Sequence, residues 1–227
     1  MAARRSNGEP GLWLRAGLGL LLLGAAAGLV LVLLTEPLQP GLSDAVAGAM
    51  AASGTDNPVT AVLLNFRGYD TLLEIAVLTT TLVGVWALGT APRITETTPS
   101  PILLGLNSVL LPLAVLIGAY LLWVGALRPG GAFQAGAVLA AAGVLFILAG
   151  RRPVTRIPDV PPRWSLVVGL ATFLAVAFGV MAAGHRLLEY PGGLAGMLML
   201  VIEAAATLSI AAILIGLFIG GRPEGEP

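Results

Sequence analysis

The sequence predicts an all-α integral membrane protein with about six transmembrane helices, and three observations carry that prediction. Hydrophobic residues make up 57% of the 227 positions and charged residues only 11%. The mean hydropathy is +0.93, far from the usual make-up of a soluble domain. Five runs, Leu12 to Leu34, Ile102 to Leu127, Ala132 to Gly150, Trp164 to Ala183 and Leu194 to Gly220, reach or approach the roughly 20 apolar residues that a helix needs to cross the hydrocarbon core.

The first run follows Arg4 and Arg5 and carries Arg15 near its start, but its apolar stretch is longer than that of a secretory signal and no convincing cleavage site follows, so it reads as a retained helix. The next element is less regular. From Pro58 to Thr90 there are 33 residues, which as one straight helix would run to roughly 50 Å against a core of about 30 Å. A break is therefore required, and "RGYD", residues 67 to 70, supplies it. The expectation is a short helix from Pro58 to about Phe66, a break over Arg67 to Tyr69, and a membrane helix from Asp70 to Thr90. Asp56 or Asn57 would cap the first piece, with Pro58 in its first turn. Thr71 and Glu74 have the spacing of a capping box for the second.

Pro92, Pro99 and Pro101 then bracket a Thr-rich polar stretch that cannot continue a helix. It divides the chain into a two-span unit (1–91), a cytoplasmic linker (92–101) and a four-span unit (102–227). Between the third and fourth spans, "RPGGAFQAG", residues 128 to 136, reads as a tight turn, with Gln134 placed to bond freed backbone groups. The loop after the fourth, 150 to 164, carries Arg151, Arg152, Arg156 and Arg163 against Asp159. Short Arg-rich loops stay in the cytoplasm, which orients both termini inward. Trp13, Trp86, Trp123 and Trp164 lie near span ends, as an interfacial aromatic belt requires. His185, Arg186 and Glu189 fall in the outer loop before the last span and read as solvated.

Charge and residue type narrow the chemistry. Twelve cations, all Arg, balance twelve acids, which gives no basic surface for nucleic acid. The absence of Cys excludes disulfides and thiolate metal sites, and one His with scattered carboxylates offers no metal-ligand spacing. Inside the spans, acids are costly and tend to mark ion or proton paths. Glu203 lies nine residues past Leu194, about 13 Å into the last span. It reads either as a neutral carboxyl bonded to Thr207 or Ser209, or as part of a proton or cation relay, or as a polar contact with a partner subunit. Arg67, Asp70 and Glu74 read either as an interfacial cap whose members pair, or as a hydrated ion path centred on Glu74. Asn107, Ser108 and Thr79 to Thr81 read equally as helix–helix hydrogen bonds or as part of a path.

The stretch "NPVTAVLLNFRGYDTLLEIAVL", residues 57 to 78, resembles the C-terminal tail of the large MrpA component of Mrp-type sodium/proton antiporters and the small MbhE component of membrane-bound hydrogenases. Residues 100 to 150, including "RPGGAFQAG", resemble the MrpB (MnhB) family. Asn65 stands where the first family has Asp, and Glu203 where the second tends to carry Asp. The resemblance implies an accessory membrane subunit of a multisubunit cation/proton antiporter, or of a related hydrogenase-like pump, in a bacterial or archaeal cell membrane. Its partners would be other membrane subunits of that complex, with Na+ and H+ as transported ions, lipid around it, no cofactor and no bond chemistry of its own. The ion-path candidates are then Glu74, Asp70, Arg67 and Glu203, supported by Asn65, Thr71, Thr207 and Gln134. A structural scaffold and a stand-alone homodimeric transporter are the rival readings. Against the second, the two units share no evident internal repeat.

Overall fold

A computed structural model describes residues 12–35, 41–89, 100–149 and 163–221. The N-terminal Arg4 and Arg5, Glu36, the linker as far as residue 99, and the Arg-rich loop up to residue 162 lie outside the described residues, as does the side chain of Arg15. The chain divides into two units, Met1–Leu42 and Ser43–Pro227.

The first unit holds one helix, α1 (Leu12–Thr35). Its 24 residues span about 36 Å, enough to cross a bilayer. Thr35 closes its last turn by donating to the Leu31 carbonyl at 2.7 Å.

The second unit begins with a short helix, α2 (Ser43–Ala49), followed by a single 3-10 turn. Next comes α3 (Pro58–Thr60), which passes directly into a π-helical stretch, Ala61–Phe66. Four long helices and one shorter one follow: α4 (Gly68–Ala87), α5 (Pro101–Val124), α6 (Ala132–Leu148), α7 (Arg163–Ala182) and α8 (Ala195–Ile219). Among the described residues five helices are long and apolar enough to cross a membrane, and α6, at 17 residues, is the shorter apolar one. The expected all-α membrane fold is what the chain adopts.

Helix α8 is the centre of this unit, packed by α6 on one side and α7 on the other, with α4 laid along it. Residues with little or no side chain let the helices approach closely, the usual device where lipid supplies no hydrophobic drive to association. A Cβ at Gly169 would come within 3.0 Å of the Ala206 Cα and 2.8 Å of the Ser209 Cβ. Ser209 uses that approach. Its Oγ donates toward the Ser165 and Leu166 carbonyls at 3.0 and 2.7 Å, and accepts the Gly169 N–H at 3.1 Å. Asn107 joins α5 to α6 by donating to the Leu145 carbonyl at 2.8 Å. Thr79, Thr80 and Thr81 bond back to carbonyls of their own helix.

Trp123 and Trp164 are exposed near helix ends, as a belt has them. Trp86 instead packs on the cluster of Leu82, Leu166, Ala212 and Ile213. His185, Arg186 and Glu189 are exposed, as expected of an outer loop.

The α7–α8 contact gives a direct test. Gly169→Leu should lower detergent-solubilised stability by about 1–3 kcal/mol, the cost of overpacking a close contact. Gly105→Leu, where nothing lies within 4 Å of the added Cβ, should leave the thermal unfolding midpoint nearly unchanged.

Candidate functional site

The interruption of the second span is built from the backbone outward. Asn57 caps α3, its Oδ1 accepting from the Val59 N–H at 3.1 Å. One turn on, the helix widens, and the Arg67 N–H reaches back five residues to the Val62 carbonyl at 2.8 Å. Arg67 then leaves helical geometry (φ −129°, ψ 35°) and α4 restarts at Gly68. Such a break frees carbonyls that lipid cannot satisfy. Thr71 Oγ1 donates to the Leu63 carbonyl at 2.7 Å, and the Tyr190 hydroxyl, from the α7–α8 loop, donates to the Leu64 carbonyl at 3.1 Å. Burial pushes the Tyr190 hydroxyl up to about 12.

The break falls where the sequence placed it, but its chemistry differs. Arg67 occupies the N-cap of α4 with no side-chain cap bond, and Thr71, expected in a capping box with Glu74, instead ties α4 to the preceding π-helical stretch. Arg67 and Asp70 form an ion pair on an exposed surface.

The "RPGGAFQAG" turn is held by this same segment. Asn57 Nδ2 donates to the Gly125 and Arg128 carbonyls at 2.8 and 2.9 Å, and Thr60 Oγ1 to the Gly125 carbonyl at 2.6 Å. Thr55 Oγ1 and the Asp56 and Asn57 N–H groups converge on the Ala126 carbonyl. Three carbonyls of the turn after α5, those of Gly125, Ala126 and Arg128, are thereby satisfied by residues from far earlier in the chain, before α4.

Glu203 meets the other end of the turn. It is 6% exposed and lies eight residues into α8, about 12 Å along it. The Ala132 N–H, the first of α6, donates to its carboxylate. Gly131 has φ +107°, and a Cβ added there would stand 2.7 Å from Glu203 Oε1. Only a glycine admits the carboxylate to this helix end. The bonding expected from Thr207 or Ser209 takes another form: Thr207 donates to the Glu203 backbone carbonyl at 2.8 Å, and Ser209 is spent on α7.

Beside Glu203 lies a cavity of about 70 Å³, lined by Thr60, Thr71, Gln134 and Glu203 among apolar neighbours. That is room for a few water molecules. Glu74 and Asp70 line a different and larger space, an open groove of about 800 Å³ between α4, α6 and α8. Phe133 lines both spaces, whereas Glu74 lines only the groove and Glu203 only the small cavity. Asn65 belongs to neither and donates to the Ser53 carbonyl at 3.0 Å. The residue pattern did not single out Thr60, Phe133 or Tyr190, and it gave Asn57 only half of its work. Thr60, three residues after Asn57 and in the same turn of α3, was the readable hint.

Residues 102–222, more than half of the chain, match the model of a domain related to the MnhB subunit of Na+/H+ antiporter. The chain belongs to this family. The N-terminal part of this MnhB-related chain, residues 13–98, matches the model of MbhE, one of the subunits of MBH. Among solved structures, the fold is similar to a chain of the membrane-bound sulfane sulfur reductase, an archaeal respiratory membrane complex. The TM-score is 0.69 and the identity 24%, over 91% of this chain and 98% of that one. It is also similar to a chain of the Mrp complex from Dietzia sp. DQ12-45-1b, with a TM-score of 0.66 and 20% identity. All of this MnhB-related chain is covered there, but only 27% of the longer Dietzia chain. No curated protein matches.

Two outcomes test this geometry. Gly131→Ala should destabilise the wild type by at least about 1 kcal/mol more than it destabilises a Glu203→Ala background, because strain at positive φ persists in both but the clash only in the first. A thermal double-mutant cycle in detergent measures the difference. For Tyr190, a folded pKa above the ordinary value means that its contribution is full below about pH 10 and lost as pH rises toward 12, a loss of about 2–3 kcal/mol. Tyr190→Phe should abolish that slope in unfolding measured from about pH 9 to about pH 12.

Proposed function

We propose that this protein is an accessory subunit of a multisubunit cation/proton antiporter, or of a related ion-pumping hydrogenase-like complex, in a bacterial or archaeal cell membrane with both termini in the cytoplasm. In this reading Glu203 is a site at which a proton and a cation exchange. The observation that carries it is the buried Glu203 carboxylate at the N-terminus of α6, facing a small cavity beside a π-helical break. Breaks of this kind are frequent at functional sites.

The chemistry follows from the groups present. The positive end of α6 and the Ala132 N–H stabilise the carboxylate when it is charged. Enclosure away from bulk water makes a bare charge costly, so the charge is carried only with compensation close by. A carboxyl balanced between these influences gives up its proton when a cation arrives and takes it back when the cation leaves. The Thr60 and Thr71 hydroxyls and the Gln134 amide oxygen supply further oxygen atoms, the donor type that hard cations select. Glu74, beside Asp70 and Arg67, lines the neighbouring groove as a second station, and Asn65 and Thr207 support the frame. The chain itself makes and breaks no covalent bonds in this scheme.

The Ala132 contact equally favours a scaffold reading, in which Glu203 does no more than hold α6 in place. Glu203→Gln separates the two. A Gln oxygen still accepts from Ala132 but cannot carry a proton. The relay reading expects sodium/proton exchange in vesicles to fall at least about tenfold with complex levels matched, and Glu74→Gln to reduce it as well. If Glu203→Gln exchanges at the wild-type rate while Glu203→Ala loses its partner subunits, the residue is a scaffold and the relay is wrong.

A further inference from the structure

We propose that the groove between α4, α6 and α8 is the seat of a transmembrane helix from a partner subunit, one that carries a basic residue opposite Glu74. This deepens the reading of the chain as one subunit of a larger membrane complex and does not require Glu203 to carry ions.

The first observation is the position of Glu74. It is the seventh residue of α4, about 9 Å from the start of a helix some 30 Å long, so it sits within the hydrocarbon depth. It is exposed, and among the described residues nothing bonds to it. Asp70, one turn earlier, is already matched by Arg67. A carboxyl facing lipid is costly in either form: charged, it lacks solvation, and neutral, it lacks hydrogen bonds. Something with a complementary group must cover it.

The second observation is the shape of the space. Each wall is an i, i+4 pair on one helix: Leu73 and Val77 on α4, Phe133 and Ala137 on α6, Ile210 and Leu214 on α8. Side chains in this register form straight ridges, and the trough between such ridges is what an approaching helix fills. The walls are apolar apart from Asp70 and Glu74, both on α4. The occupant they fit is therefore an apolar helix with one cation set to one side.

A second copy of this chain fits poorly. Among the described residues, the basic residues within spanning helices are Arg15 in α1 and Arg163 in α7, both in the first turn of their helices. Neither position lies two turns deep, where Glu74 sits. A different subunit has to supply the cation.

The test is site-specific photo-crosslinking in the intact complex, purified through a tag on this chain. The photoreactive residue replaces Val77 in the groove or, as a control, Leu116 on the exposed face of α5. The expected result is an adduct from position 77 to a spanning helix of another subunit, with Arg, Lys or His within one turn of the attachment point, and none of this kind from position 116. Glu74→Leu should lower the adduct yield about tenfold, as loss of one interhelical polar contact in lipid would. Adducts from position 77 to lipid alone, to a second copy of this chain, or to a helix with no basic residue nearby would overturn the proposal. So would an adduct yield unchanged by Glu74→Leu. These failures in a complex that still co-purifies leave the subunit reading standing, whereas a chain that co-purifies with nothing removes that reading too.

Discussion

Within a bilayer no water is at hand for a stray carbonyl or amide, and that requirement governs the second unit of this protein. Two stretches of its backbone leave regular α-helical geometry near membrane depth: the π-helical break before α4, and the Gly-rich turn between α5 and α6. Either alone would leave several polar groups unmet. Placed against each other and against α8, they are met by a handful of side chains, Asn57, Thr60, Thr71, Tyr190 and Glu203. The polar centre is thus a consequence of broken backbone as much as of any chemistry performed there.

That coupling explains how a carboxylate can be kept in the interior. Glu203 satisfies the first N–H of α6, and the dipole of that helix compensates its charge. The residue is both brace and acid. The glycine at 131 makes this placement possible by leaving its Cβ position empty.

Much of the fold was legible. Apolar runs separated by Pro and Arg gave the spans to within a few residues, because hydrocarbon thickness fixes helix length. The break at Arg67 was legible because a helix from Pro58 to Thr90 is too long for the core. The bonding at the break was not. Thr71 and Glu74 match a capping box in one dimension, but a carbonyl released by the π-helical stretch competes for the Thr71 hydroxyl and wins. Thr207 was likewise adjacent to Glu203 in sequence yet bonds its backbone rather than its carboxyl. The true partner, Ala132, is far away along the chain and contributes only a main-chain N–H, which no residue type advertises. That Glu74 and Glu203 line separate spaces was beyond sequence for the same reason, since it depends on how α6 and α8 sit against α4.

The Asn57 amide joins groups made at different times. It leaves the ribosome 68 residues ahead of the Gly125 carbonyl it will hold. During biosynthesis the donor is therefore already at the membrane, capping α3, when the α5–α6 hairpin arrives with its unfinished end. The earlier segment acts as a docking template for the later one. The hairpin's own turn bonds, such as the Gly131 N–H to the Leu121 carbonyl, are then supplemented from the earlier segment, so the order of the two sequence motifs along the chain bears on how the protein is assembled.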